Sequence, residues 1–329
     1  MKRWLKIFYF IFLVSIIFAI IINFDEIKKI IKILFDINLN LILLIILLQL
    51  INFAIIAVTY KTILKALNYS INFIKLFNLS IVTISLNSIY PPMGLFGNIA
   101  LFHSLKNEHK IQEGKILIMM ILYLIALISS FLLILIFSLL FFIIAKKLAK
   151  IDMFLLVANT FLVITIALLL YAFVKNKKNF IDFLEKFLIK TFKFFKITWR
   201  KEKFLHILEE FYEGGNIIKK DKRHFLVPIL FLLVKHFIDT FSIFLIFNSF
   251  GVKINILIVV FGIAIANVIS LFSLIPGGIG VFEISMAASF FVLGIDVNIA
   301  IASVLVFRLV SYWLPILIGF FLYKSALKV

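Results

Sequence analysis

The chain has 329 residues, of which 64% are hydrophobic and 15% are charged, and its formal net charge is +18. Soluble domains average roughly 45–50% apolar and ~25% charged residues, so this composition excludes an ordinary water-soluble protein. The chain has no cysteine, which excludes disulfides, thiolate catalysis and cysteine metal sites. Its five histidines form no His-x-x-x-His pair, so we expect no metal site and no cofactor.

Repeated apolar stretches of about 20 residues predict an all-α polytopic membrane protein. We expect about six full transmembrane helices, at 4–24, 37–60, 116–145, 151–174, 225–250 and 299–323. The first follows a basic start that resembles a signal peptide. Its core is too long and no small-x-small cleavage site follows, so we expect an uncleaved anchor.

The hydrophilic segment 175–223 carries 14 basic and 7 acidic residues, a net charge of +7. By the positive-inside rule it is predicted to be cytoplasmic, as are both termini. It is expected to lie on anionic lipid as an amphipathic helix that ends near 213–216, with a specific partner site as the alternative. We therefore assign the positive charge to lipid-facing loops and expect no nucleic-acid partner.

Two further apolar segments, 76–103 and 255–293, are interrupted by proline and glycine. The first two predicted spans return the chain to the cytoplasm, and residue 175 is predicted to be cytoplasmic too, so an even number of crossings must lie between them. The spans at 116–145 and 151–174 already provide two. Segment 76–103 must therefore enter and leave on one side. Broken backbone is tolerated at membrane depth only inside protein or beside a wet cavity, so both segments are predicted to be re-entrant hairpins. The first arm of 255–293 is long enough to span, and a full crossing stays open there.

The two breaks resemble each other. Ser-Leu-x-Ser-Ile-x-Pro at 85–91 matches Ser-Leu-x-Ser-Leu-x-Pro at 270–276, and glycines follow each proline. Each unit would hold three full crossings, so the second copy would be inverted, an arrangement typical of transporters. The alternative is a chance match in an apolar chain. The predicted division is a first membrane half at 1–174, a linker at 175–223 and the remainder of the second half at 224–329, with the second repeat beginning at 151–174.

Ionisable residues inside apolar spans are functional candidates, and Glu283 and Arg308 are two of them. Glu283 follows three glycines in the first turn of a half-helix. Backbone N–H groups at Gly277, Gly278 and Gly280 could bind a phosphate there, with Arg308 as a bidentate donor. Glu283 would hold Arg308 in place or bind an amine. The alternative is a structural cap paired with Arg308.

Asp239 is the third ionisable candidate within a span. It stands four residues after Lys235, so the two side chains can pair on one helix face, which we expect near the cytoplasmic end of the span. A structural pair is the favoured interpretation, and a translocation role is the alternative.

The residues Leu-Ile-Pro-Gly-Gly-Ile-Gly-Val-Phe-Glu at 274–283, followed by Arg308, Tyr312, Pro315 and Gly319, carry a family resemblance. They resemble the lysylphosphatidylglycerol synthase transmembrane region, the flippase-like half of bacterial multiple-peptide-resistance factors, which also occurs as stand-alone proteins. The resemblance is looser over 87–97.

The first-half motif of that family corresponds here to Asn87, Pro91, Gly94 and Gly97, with Pro276 as the matching proline of the second. The family often continues with an acidic residue and an arginine, where this chain has Asn98 and Leu101. The first predicted hairpin therefore lacks the acidic and arginine side chains of the family motif at these positions.

The resemblance implies non-enzymatic movement of a phosphate-headgroup lipid between leaflets of a bacterial inner membrane. The partner would be a membrane phospholipid or lipid-linked substrate. No transferase domain and no nucleotide-binding motif is found in the sequence. The alternatives are an intramembrane enzyme or subunit in polyprenyl-phosphate or glycolipid assembly, and a membrane scaffold for a separately encoded synthase.

Overall fold

The computed structural model describes residues 38–89, 95–144, 201–271 and 278–327. These ranges contain helices and no strand, which confirms the all-α class. The helices are α1 (Leu39–Ala66), α2 (Phe73–Ile89), α3 (Leu95–Asn107), α4 (Glu113–Ile144), α5 (Lys201–Lys219), α6 (Arg223–Ser249), α7 (Ile256–Leu271), α8 (Val281–Val292), α9 (Val297–Arg308) and α10 (Leu314–Leu327). A π-helical turn, Leu309–Trp313, joins α9 to α10. The predicted spans 4–24 and 151–174 and linker residues 175–200 lie outside the described residues.

Four described helices are long and apolar enough to cross a membrane: Leu39–Ala66, Glu113–Phe137, Arg223–Ser249 and the continuous run Val297–Tyr323. They match the predicted spans at 37–60, 116–145, 225–250 and 299–323. The arms of the predicted hairpins are shorter. Helices α2, α7 and α8 have 17, 16 and 12 residues, so at 1.5 Å per residue each is shorter than a ~30 Å hydrocarbon core. Their re-entrant path stays a prediction.

The described helices have two large apolar cores and a small third cluster on α7. One core is built by buried side chains of α1 to α4 together with Ile218 of α5, and the other by side chains of α6 to α9 together with Ile45 of α1. Helix α1 packs against both α2 and α6, so it belongs to both cores. The last helix, α10, packs against α2, which brings the end of the described chain onto the first broken segment.

The contact between α10 and α2 depends on Gly319. A Cβ atom at this position would lie 2.5 Å from Cβ of Ser85 and 2.6 Å from its hydroxyl oxygen. Real atoms do not approach this closely, so only glycine allows the two backbones to pack as they do. Gly319 therefore allows α10 to pack closely against α2.

The expected helix end near 213–216 is wrong, because α5 continues through Gly214 and Gly215 to Lys219. Two glycines weaken an isolated helix by about 1 kcal/mol each. Here tertiary packing outweighs that cost, since Gly214 is buried against Ile118 of α4. Glu210 also accepts the backbone N–H of Gly114 at 2.8 Å. This part of the linker is therefore attached to the helix bundle.

The two neighbouring glycines of α5 give a matched pair of substitutions. A Cβ atom at Gly215 would lie 3.5 Å from Ile118, an ordinary contact, whereas one at Gly214 would lie 2.8 Å from it. We expect Gly215→Ala to raise the free energy of unfolding by up to about 1 kcal/mol through helix propensity. Gly214→Ala should gain less or lose stability, because Ile118 must move. Thermal unfolding of the purified protein measures both, and equal gains would show that α5 does not pack closely on α4.

Candidate functional site

The start of α8 forms the centre of the site. Gly278 and Gly280 have positive φ angles of 63° and 81°, which glycine adopts without strain. Gly280 is the N-cap residue, and its N–H donates to Oε2 of Glu283 at 2.7 Å. Glycine has no side-chain oxygen, so the cap residue of α8 accepts no hydrogen bond through a side chain from the N–H groups that open the helix. Pro276 and Gly277 lie outside the described residues.

Glu283 also binds Arg308, as predicted from their shared occurrence in apolar segments. The Nε atom of Arg308 donates to Oε1 of Glu283 at 2.5 Å. The guanidinium carbon lies 4.8 Å from the ring centre of Phe282 and 4.2 Å from that of Tyr312. Arg308 is only 9% exposed, so its charge is balanced by Glu283 and surrounded by aromatic rings that favour a cation.

Tyr312 connects this pair to the first broken segment. It lies in the π-helical turn directly after Arg308, and such turns occur frequently at functional sites. Its hydroxyl donates to the backbone carbonyl of Ser88 at 2.9 Å. Ser88 is in the last turn of α2, where carbonyl groups lack a helical partner. The ends of α2 and α8, which border the two Pro/Gly breaks, therefore meet at Arg308 and Tyr312.

We expect Tyr312→Phe to loosen this connection without removing the ring that contacts Arg308. Loss of the hydrogen bond to Ser88 should lower the free energy of unfolding by about 0.5–1.5 kcal/mol. Thermal unfolding in detergent measures the change. Trp313→Phe is the control, because Trp313 is 53% exposed and also lies in the π-helical turn. Identical losses for the two variants would contradict the role of the Tyr312 hydroxyl.

Asn87 and Gly97 are brought together in the first break. The side-chain oxygen of Asn87 accepts the N–H of Gly97 at 2.7 Å. A Cβ atom at Gly97 would lie 2.0 Å from the backbone oxygen of Thr83, so α2 and α3 touch through their backbones. This contact joins α2 closely to α3. Pro91 and Gly94 lie outside the described residues.

Ser270 stands beside the glycines of the second break. A Cβ atom at Gly278 would lie 3.2 Å from the Ser270 hydroxyl oxygen. In the described part of the chain this buried hydroxyl has no hydrogen-bond partner. It therefore adds an unused polar group next to the start of α8.

A cavity of about 350 Å³ opens beside Glu283 between α8 and α9. Apart from Glu283, its walls are apolar, formed by side chains such as Ile284, Phe291, Ile301 and Leu305. This cavity was not predicted from the sequence, since the pairing of α8 with α9 cannot be read from local patterns. A cavity of this composition suits hydrocarbon with one polar end.

Asp239 is not part of this site. It pairs with Lys235 at 2.6 Å, as predicted, but both residues lie near the middle of α6 (Arg223–Ser249) and not near its end. Asn52 of α1 donates to Asp239 at 2.7 Å. Asn52 and Gln49 were not predicted from the sequence, although their three-residue spacing in an apolar helix was an available signal.

Comparisons with known proteins place the chain in a family. The model of the family described as "Lysylphosphatidylglycerol synthase TM region" matches residues 7–319. A UPF0104 membrane protein of Methanocaldococcus jannaschii is 27% identical over 310 residues, which cover 94% of this chain and 91% of the relative. A UPF0104 membrane protein of Pyrococcus horikoshii is 26% identical over 326 residues, which cover 97% of this chain and 96% of the relative. The chain therefore belongs to the lysylphosphatidylglycerol synthase transmembrane-region family of multi-pass integral membrane proteins.

Proposed function

We propose that the protein is a non-enzymatic translocase that moves a lipid with a phosphate headgroup between the leaflets of a cell membrane. The observation that carries this proposal is the arrangement at α8. An arginine, the N–H groups that open a helix and an apolar cavity lie together where the two broken segments meet. The family name, which refers to a synthase of a phospholipid, agrees with a lipid substrate.

The polar end of the site suits a phosphate. The first N–H groups of α8 carry the positive end of the helix dipole. Arg308 adds a full positive charge, and the Ser270 hydroxyl is a further donor. Glu283 orients Arg308 through its Nε atom and keeps the empty site electrically neutral. An arriving phosphate would compete with Glu283 for Arg308, which gives binding and release without a covalent step.

The apolar end suits an acyl or polyprenyl chain. The cavity between α8 and α9 begins at Glu283 and continues along apolar side chains. An amphiphile can therefore place its headgroup at Arg308 and its hydrocarbon in the cavity. Catalysis by Glu283 is less well supported, because both of its carboxylate oxygens already accept hydrogen bonds, from Gly280 and Arg308.

Leaflet exchange of headgroup-labelled phospholipids in proteoliposomes tests the proposal. We expect exchange that requires the protein and slows at least about tenfold in Ala288→Phe, because this exposed alanine lines the cavity. Val292→Phe is the matched control, since Val292 is exposed on the same helix and is not among the cavity-lining residues. It should exchange lipid at the wild-type rate.

Two results would contradict the proposal. Equal lipid-exchange rates for Ala288→Phe and Val292→Phe would show that the lipid does not pass through the cavity. If the wild-type protein exchanges neither phospholipids nor polyprenyl-phosphate lipids, translocation itself is wrong. A partner role for a separately encoded synthase would then become the better explanation.

A further inference from the structure

A second group of polar side chains lies inside the bundle between α1 and α6. It consists of Gln49 and Asn52 of α1 and Lys235, His236 and Asp239 of α6, and we call it the mid-membrane cluster. Asn52 lies near the centre of the 28-residue α1, and Asp239 near the centre of the 27-residue α6. Both helices are long enough to span a membrane. Polar groups at such a depth are costly and are commonly functional.

The carboxylate of Asp239 is the centre of this cluster. Its Oδ2 atom accepts from Nζ of Lys235 at 2.6 Å, and its Oδ1 atom accepts from Nδ2 of Asn52 at 2.7 Å. The same Nδ2 lies 3.2 Å from the side-chain oxygen of Gln49. The Asp239 side chain is 7% exposed, whereas that of Lys235 is 22% exposed. The cluster carries no net charge, because Lys235 balances Asp239. The Lys235 side chain reaches the outside of the bundle more easily than the Asp239 side chain does.

Several atoms of the mid-membrane cluster are left unpaired. Within the described ranges, Oδ1 of Asn52 and both ring nitrogens of His236 are buried without a hydrogen-bond partner. Asn52 is 0% exposed and His236 is 2% exposed. A cluster that only joined two helices would be more stable with every such atom paired, because unpaired buried polar groups are expensive. The Asn52 oxygen and one of the two ring nitrogens offer lone pairs to a proton or to a water molecule that delivers it, and the other ring nitrogen is a donor.

Lys235 is the charged neighbour that pairs with Asp239 among the described residues. Helix α1 presents two uncharged amides, α4 places Phe131 4.2 Å from the His236 ring, and α7 has no ionisable residue. On α9, Arg308 is paired with Glu283. Among the described side chains of α5, Glu210 accepts from Gly114 of α4 and makes no ion pair with the mid-membrane cluster.

We infer that Asp239 is a proton-exchange site that couples lipid movement to the proton gradient, with Lys235 as its internal counter-ion. Asp239 takes up one proton and becomes a neutral acid, no other bond is formed or broken, and Lys235 is released as a free ammonium. The charge of the cluster then changes from 0 to +1. This charge balances one negative charge of a phosphate headgroup, so the proton and the lipid cross the membrane together without net movement of charge. Only this coupling rests on the proposed function.

Infrared difference spectroscopy of the reconstituted full chain tests proton binding without any lipid assay. We expect acidification to produce the carbonyl band of a buried carboxylic acid in the wild type and to produce none at that frequency in Asp239→Asn. Glu283→Gln is the matched control and should keep the band. A band of equal size in the wild type and Asp239→Asn would overturn the inference.

The lipid-exchange assay with an imposed pH gradient tests the coupling. We expect the gradient to accelerate wild-type exchange at least about fivefold, the lower end of typical coupling between sites. Asp239→Asn should show no acceleration. If the rate of wild-type lipid exchange is the same with and without the pH gradient, the coupling is wrong and the proposed function is unaffected. An infrared band from Asp239 in a protein that exchanges no lipid would instead contradict the proposed function and retain the proton site.

Discussion

Replacing Arg308 by alanine is expected to lower lipid exchange at least about 100-fold. A hydrogen bond to a charged group contributes roughly 1.5–3 kcal/mol, which corresponds to about 10- to 150-fold in rate if it is lost in the transition state. The substitution also leaves Glu283 as an unpaired carboxylate at the start of α8, next to the place proposed for the phosphate. Loss of attraction and new repulsion therefore act in the same direction. Proteoliposome exchange with headgroup-labelled phospholipid measures the rate.

Three further variants separate the parts played by Arg308 and its partner. Arg308→Lys keeps the charge but loses the planar contact with Tyr312, so exchange should fall by less than in Arg308→Ala. Glu283→Gln can still accept the Gly280 N–H and should weaken exchange about tenfold. Size-exclusion profiles confirm that each variant is folded. Wild-type exchange by the double variant Glu283→Ala/Arg308→Ala would show that the site has been placed wrongly.

Replacing Gly97 by alanine is expected to destabilise the first hairpin by about 3 kcal/mol or more, the upper end of overpacking costs. The added Cβ atom would lie 2.0 Å from the backbone oxygen of Thr83 and 2.6 Å from the Asn87 side-chain oxygen. A backbone oxygen cannot change position by rotation about a side-chain bond, so α3 must move away from α2. The Asn87 hydrogen bond to Gly97 is then lost as well.

Thermal unfolding and protein yield measure the effect of Gly97→Ala. The matched control is Gly215→Ala, the same chemical change at a position with ordinary contacts. Asn87→Ala removes the hydrogen bond without adding an atom and should cost less than Gly97→Ala. A thermal midpoint for Gly97→Ala equal to that of the wild type would show that α2 and α3 are further apart than described here.

The features predicted from sequence are those with a local signal. Long apolar runs predict the four described spans. Glu283, Arg308 and Asp239 stand out because ionisable residues are rare in such runs. The pairing of Lys235 with Asp239 follows from a four-residue spacing on one helix. Each of these predictions needs only residues that are close in the chain.

The features that sequence analysis missed join distant parts of the chain. Asn52 meets Asp239 across 187 positions, and Tyr312 meets Ser88 across 224. The periodicity of apolar residues in a sequence does not indicate which helices pack against each other. The wrong helix end near Gly214 has the same origin, since the packing of α5 on α4 outweighs the low helix propensity of the two glycines. The cavity beside Glu283 likewise depends on how α8 meets α9.

The contact of α10 with α2 has a consequence for biogenesis. Synthesis proceeds from the amino terminus, so α2 and α3 enter the membrane long before Tyr312 and Gly319 leave the ribosome. Until then the Ser88 carbonyl and the face of α2 around Ser85 lack the partners that they have in the finished bundle. Late contacts between distant segments are the slow part of assembly. Ribosomes stalled before residue 312 should therefore hold a first half that is inserted but still open to proteases or chaperones.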